Sequence, residues 1–268
     1  MGVPHVLHQI WMQGKEVVPS RYDAARKTWK DLHPTWEIHT WSETEMKSLS
    51  KGTEWDGLIQ LCTTMIQRAD IYRCMLLDFY GGVYADMDAY AIEAFDPLCE
   101  ESRPMLQLGG TKFMPGFRVS NAILLAPPKI PFWSSIFIPA VKHAIYTKTV
   151  LDDISLVCLV MRTTGPWLWT RLLNDDEKPK MDGDATTRHL IVHPHRYFYA
   201  TDIPKTHLLT DHDKLLLRGC FSYHIQDSKW LTSWEGVILY VFLFAQQKPA
   251  IFSAVFLVTL IMLVVTFS

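Results

Sequence analysis

The 268-residue sequence has little of what usually narrows a function quickly. It has no excess of either charge, with 26 Lys and Arg against 28 Asp and Glu. That balance leaves no basic face to track a phosphate backbone, so nucleic-acid binding is excluded. Low-complexity blocks are few, which excludes a wholly disordered chain. The five cysteines (Cys62, Cys74, Cys99, Cys158, Cys220) are odd in number and contain no C-x-x-C pair. They support neither a zinc site nor a disulfide framework, and at least one thiol stays free unless it pairs between chains. Neither Asn121 nor Asn174 opens an N-x-S/T sequon, which mildly disfavours a glycosylated lumenal surface. Met1 to His5 runs directly into a strand-like segment, so no signal peptide is expected there. Val6 stands where a myristoylation signal needs Ser or Thr.

Charge itself is missing from one stretch. From Gly236 to Ser268 the single charged residue is Lys248, so 53 of the 54 charged residues lie in residues 1–235. Without the tail, the charge density is close to the ~25% of an ordinary soluble domain. Pro249 to Ser268 (PAIFSAVFLVTLIMLVVTFS) has no charge at all. A helix of ~20 residues spans ~30 Å, the thickness of a bilayer core. Pro249 suits a first helical position, and Lys248 would snorkel to the headgroups. A buried helix of a soluble protein is the alternative, and apolar residues on every side disfavour it. The expected organisation is a domain over 1–235 and a membrane-associated segment over 236–268. A transmembrane helix over 249–268 would hold the domain to a lipid bilayer, the Golgi or ER membrane in a eukaryote. Val237 to Ala245 is too short to span alone and suits the interface, with Trp230 and Trp234 near the headgroups. Which side of the membrane the domain faces is left open.

Along the domain, strand patterns alternate with helix patterns. Val6 to Trp11 reads as a strand, Arg21 to Leu32 as a helix with Ala25, Trp29 and Leu32 on one side. Trp36 to Trp41 alternates as a second strand. Ser42 and Glu45 form a capping-box pattern that opens another helix. From Thr64 to Tyr80, Met65, Ala69, Tyr72, Leu76 and Phe79 recur at helical spacing, and Gly81-Gly82 ends the run. Val83 to Asp88, Met105 to Leu108, Val119 to Leu125 and Leu190 to His193 read as strands. Pro131 to Tyr146 and Pro166 to Leu173 read as helices, and Asn174 to Asp184 as a surface loop. The order indicates an α/β domain with a mainly parallel sheet flanked by helices.

The chemistry concentrates in Gln67 to Asp88, QRADIYRCMLLDFYGGVYADMD. On a continuous strand Tyr84, Asp86 and Asp88 would face one way and Val83, Ala85 and Met87 the other. Two carboxylates sharing a face repel, and a bound divalent cation, Mn²⁺ or Mg²⁺, resolves the conflict. Ligands collect at the carboxyl ends of strands in α/β sheets, where this pair sits. An isolated Asp-x-Asp is weak evidence, because such pairs are common on exposed turns. Asp70 and Arg73, three apart on the preceding helix, share a face. They suit sugar hydroxyls and a phosphate or sugar oxygen; the bland alternative is a surface salt bridge worth little.

Arg68 to Arg73 and Tyr80 to Asp88 together resemble the DXD-containing sugar-transfer region of family 32 glycosyltransferases. That group includes fungal α-1,6-mannosyltransferases and inositol phosphorylceramide mannosyltransferases. Further elements follow in order: Pro4 to Trp11 is similar to the family's opening strand, and Ser120-Asn121-Ala122 with Ala126-Pro127 to its mid-domain strand. Thr164-Gly165-Pro166 matches its TGP turn. Tyr197 to Ala200 resembles an FYP element with Ala200 in place of Pro. Tyr223 to Trp230 resembles a closing H…SW element, loosened by Lys229. The resemblance covers about residues 4–230.

The resemblance implies a GT-A-like fold and a metal-dependent, retaining hexosyltransferase. Asp86 would touch ribose and donor sugar, and Asp88 would ligate the metal with Asp86 and His224. Asp70 and Arg73 would hold the sugar, Trp11 would stack on the base, and Tyr84 and Asn121 would line the donor site. His224, Ser228 and Trp230 rest on the loosened ending. The implied cofactors are Mn²⁺ (or Mg²⁺) and a nucleotide sugar, GDP-mannose or a UDP-hexose. The implied partners are a glycan or lipid acceptor. Same-face attack and double displacement both remain open for retention.

Two other functions compete. An aspartyl phosphatase also uses Asp-x-Asp after a strand, but usually carries Thr or Val where Tyr90 stands. A catalytically inactive, membrane-bound sugar-nucleotide-binding protein would keep the pocket without turnover. Asp211-His212-Asp213 reads better as a solvated turn than as a second metal motif. His193-Pro194-His195 reads as a strand end or loop. Trp167 and Trp169 read as core residues in preference to the lining of an acceptor groove, since buried aromatics are more common.

Overall fold

The fold comes from a computed structural model. It describes residues 2–101, 103, 105–111, 119–147, 149–174, 185–186, 190–199, 210, 213 and 216–225. The proposed loop up to Asp184 and the segment 236–268 with its apolar helix lie outside these residues. Among the described residues no helix is long and apolar enough to cross a membrane.

The first half of the chain runs β1 (Val6–Ile10), α1 (Asp23–Leu32), β2 (Glu37–Trp41), α2 (Glu43–Ser50), α3 (Glu54–Leu61), α4 (Met65–Tyr80), β3 (Gly82–Ala85), β4 (Ala89–Ala91) and α5 (Asp96–Cys99). It continues through β5 (Leu106–Gly110), β6 (Val119–Ala126), α6 (Ile138–Tyr146), α7 (Val150–Ile154), α8 (Leu156–Thr163), α9 (Pro166–Asn174), β7 (Ala185–Thr186), β8 (Leu190–His193), α10 (His195–Phe198) and β9 (Ser222–His224). Seven strands form one sheet in the order β2-β1-β3-β6-β5-β8-β7. From the pairings, β6 and β7 run against the other five. The expected α/β class with a mainly parallel sheet is therefore found. Strands β4 and β9 form a separate antiparallel pair.

Alternation along the strands divides the core between the two faces of the sheet. Ile10, Tyr84, Leu106, Leu108 and Leu124 pack with residues of α2, α3, α4, α6 and α9. Leu7, Val83, Ala85, Ile123 and Leu125 pack on the other face with Trp29, Leu98 and Phe198. All five cysteines are buried.

Local sequence explains the element ends. Ser42 and Glu45 close both bonds of the expected capping box, and Thr64 with Gln67 does the same for α4. At the other end of α4, Gly81 has φ 65°, and a Cβ there would stand 2.6 Å from Pro128 Cδ. Glycine is required on both counts.

Two expectations need correction. The strand from Val83 stops at Ala85, not Asp88. The Asp86 amide still bonds Ala122 O at 2.9 Å, but Ala89 N then reaches back to Asp86 O at 3.0 Å, closing a turn. Asp86 and Asp88 therefore meet through a turn, not through strand alternation. The helix expected from Pro131 begins as a π-helical turn, Trp133–Phe137, before α6. The burial of Trp169 against Phe132 and Phe137 bears out the commoner reading of these aromatics as core residues, and Trp167 packs on Val157 and Met161.

His8 locks β1 to the end of α4. Trp41 Nε1–H donates to its Nδ1 at 3.1 Å, so Nε2 carries the proton and donates to Gly81 O at 2.9 Å. Burial lowers the His8 pKa to about 4, with His39 acting in the same direction. Burial also lowers that of His33, whose Nε2 accepts from Phe95 N. The unfolded chain thus takes up protons near pH 6.5 that the folded chain refuses until about pH 4. Stability from His8 is present above pH 6.5 and is lost as the pH falls. The expected loss between pH 7 and 5 is about 2 kcal/mol from this residue. Denaturant unfolding across that range, on the chain and on His8→Gln, measures it; an equal slope in both would show that His8 titrates normally.

Candidate active site

Helix α4, the carboxyl end of β3 and the early part of β6 meet at one group of charged side chains. Helix α4 supplies Asp70 and Arg73 one turn apart, with Arg73 Nη2 3.0 Å from Asp70 Oδ1. Arg73 Nη1 donates to Asn121 O at 2.6 Å and lies 3.2 Å from Asp86 Oδ1. The guanidinium carbon stands 4.6 Å over the Tyr84 ring, and the Tyr84 hydroxyl donates to Asp86 Oδ1 at 2.7 Å. The Asp70–Arg73 pair is therefore a salt bridge, but a buried one that extends to a third residue from another element.

Asp70 is almost fully enclosed. Its Oδ1 accepts from Asn121 Nδ2 at 3.0 Å as well as facing Arg73, and its Oδ2 accepts from Thr164 Oγ1 at 2.8 Å. Burial raises its pKa, while Arg73, Thr164 and Asn121 favour the ionised form. A carboxylate has about four lone-pair sites, so roughly one stays open for a ligand hydroxyl. For Arg73, burial opposes the charge, but Asp86, Tyr84 and Asp70 more than compensate and raise the pKa. Burial pushes the Tyr84 phenol well up, so it stays protonated and can donate to Asp86.

The second cluster joins Asp86, Asp88 and His224, whose ligand atoms all lie within 4.8 Å of one another. It is the one such group of three among the described residues. The β4–β9 pairing sets Ala89 opposite His224 and delivers the imidazole. His224 Nε2 stands 3.0 Å from Asp88 Oδ1 and 3.8 Å from Asp86 Oδ2. Two carboxylates and one imidazole suit a divalent cation whose other positions stay open to water or phosphate oxygens.

The structure thus gathers Asp70, Arg73, Tyr84, Asp86, Asp88, Asn121 and His224. Trp11 follows β1 at the same sheet end, its ring half-buried and 5.6 Å from that of Tyr22. Ala200, Ser228 and Trp230 lie outside the described residues, as do Asp211 and His212. Asp213 is helical rather than in the expected turn: its carboxylate accepts from Thr210 N at 2.8 Å while its own amide donates to Thr210 Oγ1 at 3.2 Å. His193 ends β8 and bonds Gln107 Oε1 at 2.8 Å, while His195 opens α10.

Sequence reasoning missed what Thr164 and Thr163 do. Thr164 follows the end of α8 and is fully buried against Asp70, 94 positions away. Its neighbour Thr163 accepts from Gln67 Nε2 at 2.8 Å, tying the same corner to the start of α4. The TGP motif marked the place, but no local pattern shows a partner so distant in sequence. Replacing Thr164 by Val keeps the shape and removes the hydroxyl, leaving Asp70 Oδ2 short of a donor. The expected cost is about 1–3 kcal/mol of stability, largely restored in Thr164→Ser. Denaturant unfolding of the two variants measures it.

Comparison with known proteins places these clusters in context. Residues 19–104, which include Asp70, Arg73, Asp86 and Asp88, match the family described as "Glycosyltransferase sugar-binding region containing DXD motif". The chain is 30% identical over 100 residues to inositol phosphoceramide mannosyltransferase 3 of Schizosaccharomyces pombe, covering 36% of this chain and 27% of that protein. It is 26% identical over 243 residues to mannosyl phosphorylinositol ceramide synthase SUR1 of Saccharomyces cerevisiae, covering 88% and 56%. The matched stretches thus span between about a quarter and just over half of these relatives. Among solved structures, a PaToxG glycosyltransferase aligns with a TM-score of 0.46 at 15% identity, over 65% of this chain and 70% of that one. The resemblance read from the motifs holds: over residues 19–104 the chain matches a glycosyltransferase sugar-binding region containing a DXD motif.

Proposed function

We propose that the chain is a metal-dependent, retaining glycosyltransferase of GT-A-like fold. It moves a hexose, with mannose favoured, from a nucleotide sugar to a hydroxyl of a glycan or membrane lipid. The observation that carries the proposal is the junction of the two clusters. Asp86 belongs to both, touching Arg73 on one side and lying 3.8 Å from His224 on the other. A sugar-diphosphate has the same two parts side by side. The names of the relatives point to mannose as the sugar and an inositol phosphoceramide as the acceptor. GDP-mannose is the favoured donor, with a UDP-hexose the alternative.

Each residue contributes by position and charge. Asp88, Asp86 and His224 would hold Mn²⁺ or Mg²⁺. When bound, such a cation supplies Lewis-acid stabilisation of the charge that builds on the leaving diphosphate. Arg73, fixed by Asp70, Asn121 and Tyr84, presents a permanent positive charge that needs no reorganisation as that charge develops. The open lone pair of Asp70 would accept a sugar hydroxyl and orient the ring for attack. Trp11 would stack on the base. By their lack of charge, residues 236–268 would serve as a membrane-associated segment, with a span over 249–268, and would bring the domain to a lipid acceptor.

Two outcomes test this reading. Asp88→Asn is nearly isosteric and is expected to keep the melting temperature while lowering Mn²⁺-dependent donor turnover by about 100-fold or more. The assay is hydrolysis of GDP-mannose, UDP-glucose and UDP-galactose. Binding without turnover of any donor would instead indicate a sugar-nucleotide-binding protein, and unchanged turnover in the variant would remove Asp88 from the metal site. For the tail, the full chain is expected to glycosylate a lipid acceptor in vesicles faster than a chain ending at residue 235. Equal rates would remove the bilayer from the account.

A further inference from the structure

Three glutamines are buried among the described residues, and two of them are fully bonded. Gln67 donates from Nε2 to Thr163 Oγ1 at 2.8 Å, and its Oε1 accepts from Thr63 N and Thr64 N at 3.1 and 3.2 Å. Gln107 donates to Leu98 O at 2.8 Å, and its Oε1 meets His193 Nε2 at 2.8 Å. Gln9 is also fully buried, yet among the described residues neither its Nε2 nor its Oε1 has a partner. A buried amide without bonds is destabilising, and this core satisfies its other two.

The position of Gln9 explains the exception. Alternation along β1 puts Leu7, Gln9 and Trp11 on one face. The register Leu7↔Val83 and His8↔Tyr84, carried one step further, sets Gln9 beside Ala85, the residue before Asp86. The indole Nε1 of Trp11 is buried without a partner as well. Two donor groups and one acceptor thus stand unused on neighbouring same-face residues, at the strand end next to the acidic turn.

We propose that the Gln9 amide reads the nucleobase of the donor. It would take the lactam edge, one N–H and one C=O, that uracil and guanine share. The half-exposed Trp11 ring turns to admit the base, and its N–H donates to a further acceptor on the nucleoside. This rests on the nucleotide-sugar reading above and adds to it a specificity-determining residue. A site built to bond a polar edge discriminates strongly, because its own groups go unpaired when the edge is missing.

The trade-off has a signature that a structural glutamine lacks. Gln9→Met keeps the length of the side chain and removes the unpaired groups, so its melting temperature is expected to rise. Its affinity for UDP or GDP with Mn²⁺ is expected to fall about tenfold or more. Gln9→Glu, which accepts but cannot donate, is expected to lose similar affinity. Affinity for inorganic pyrophosphate with Mn²⁺ stays unchanged in both, since that probe has no base. Calorimetric titration of the full chain in detergent reads all three, and the UDP and GDP arms show which base is taken. Unchanged nucleotide affinity in Gln9→Met, or an equal loss for pyrophosphate, overturns the role of Gln9. Wild-type chain that binds neither nucleotide overturns the transferase reading beneath it.

Discussion

One buried cation organises the site. The Arg73 guanidinium bonds Asn121 O, faces Asp70 and Asp86, and lies over the Tyr84 ring, so it ties together α4, β3, β6 and the acidic turn. Without it, the buried Asp70 carboxylate would lie near that of Asp86 with no cation between them, and the two would repel. Removing one partner of such a buried network leaves an uncompensated charge, so the group stands or falls together. The precision of the site therefore rests on the packing of helix against sheet.

That packing also explains why two threonines at the α8–α9 corner matter. Thr163 and Thr164 reach Gln67 and Asp70, which lie on one side of α4. The corner fixes the height and rotation of the helix that carries both charged residues. Substrate-facing groups are held best when the residues behind them are themselves locked.

Much of the fold was legible because its signals are local. The capping box at Ser42, the glycines after Tyr80 and the period of α4 each depend on residues a few positions apart. The acidic pair was found for a reason only partly right. Tyr84 and Val83 do alternate as strand residues, but the turn closed by Ala89 N and Asp86 O has no signal in Ala85 to Ala89 that outweighs the strand pattern. Helices α3 and α8 went unread, although Trp55, Leu58 and Ile59 or Val157, Val160 and Met161 are buried at helical spacing. Their short runs fall between stronger neighbours. What no local pattern carries is partnership across the chain: Thr164 with Asp70, or Gln9 with no partner among the described residues.

The two-stranded β4–β9 pair sets an order of events. Asp70, Arg73, Asp86 and Asp88 all leave the ribosome within the first third of the chain. His224 arrives more than a hundred residues later, and only its pairing with Ala89 brings the imidazole to the carboxylates. The early part of the chain thus emerges with a lone acidic pair, and the group of three is complete only once β9 has been made and has paired with β4.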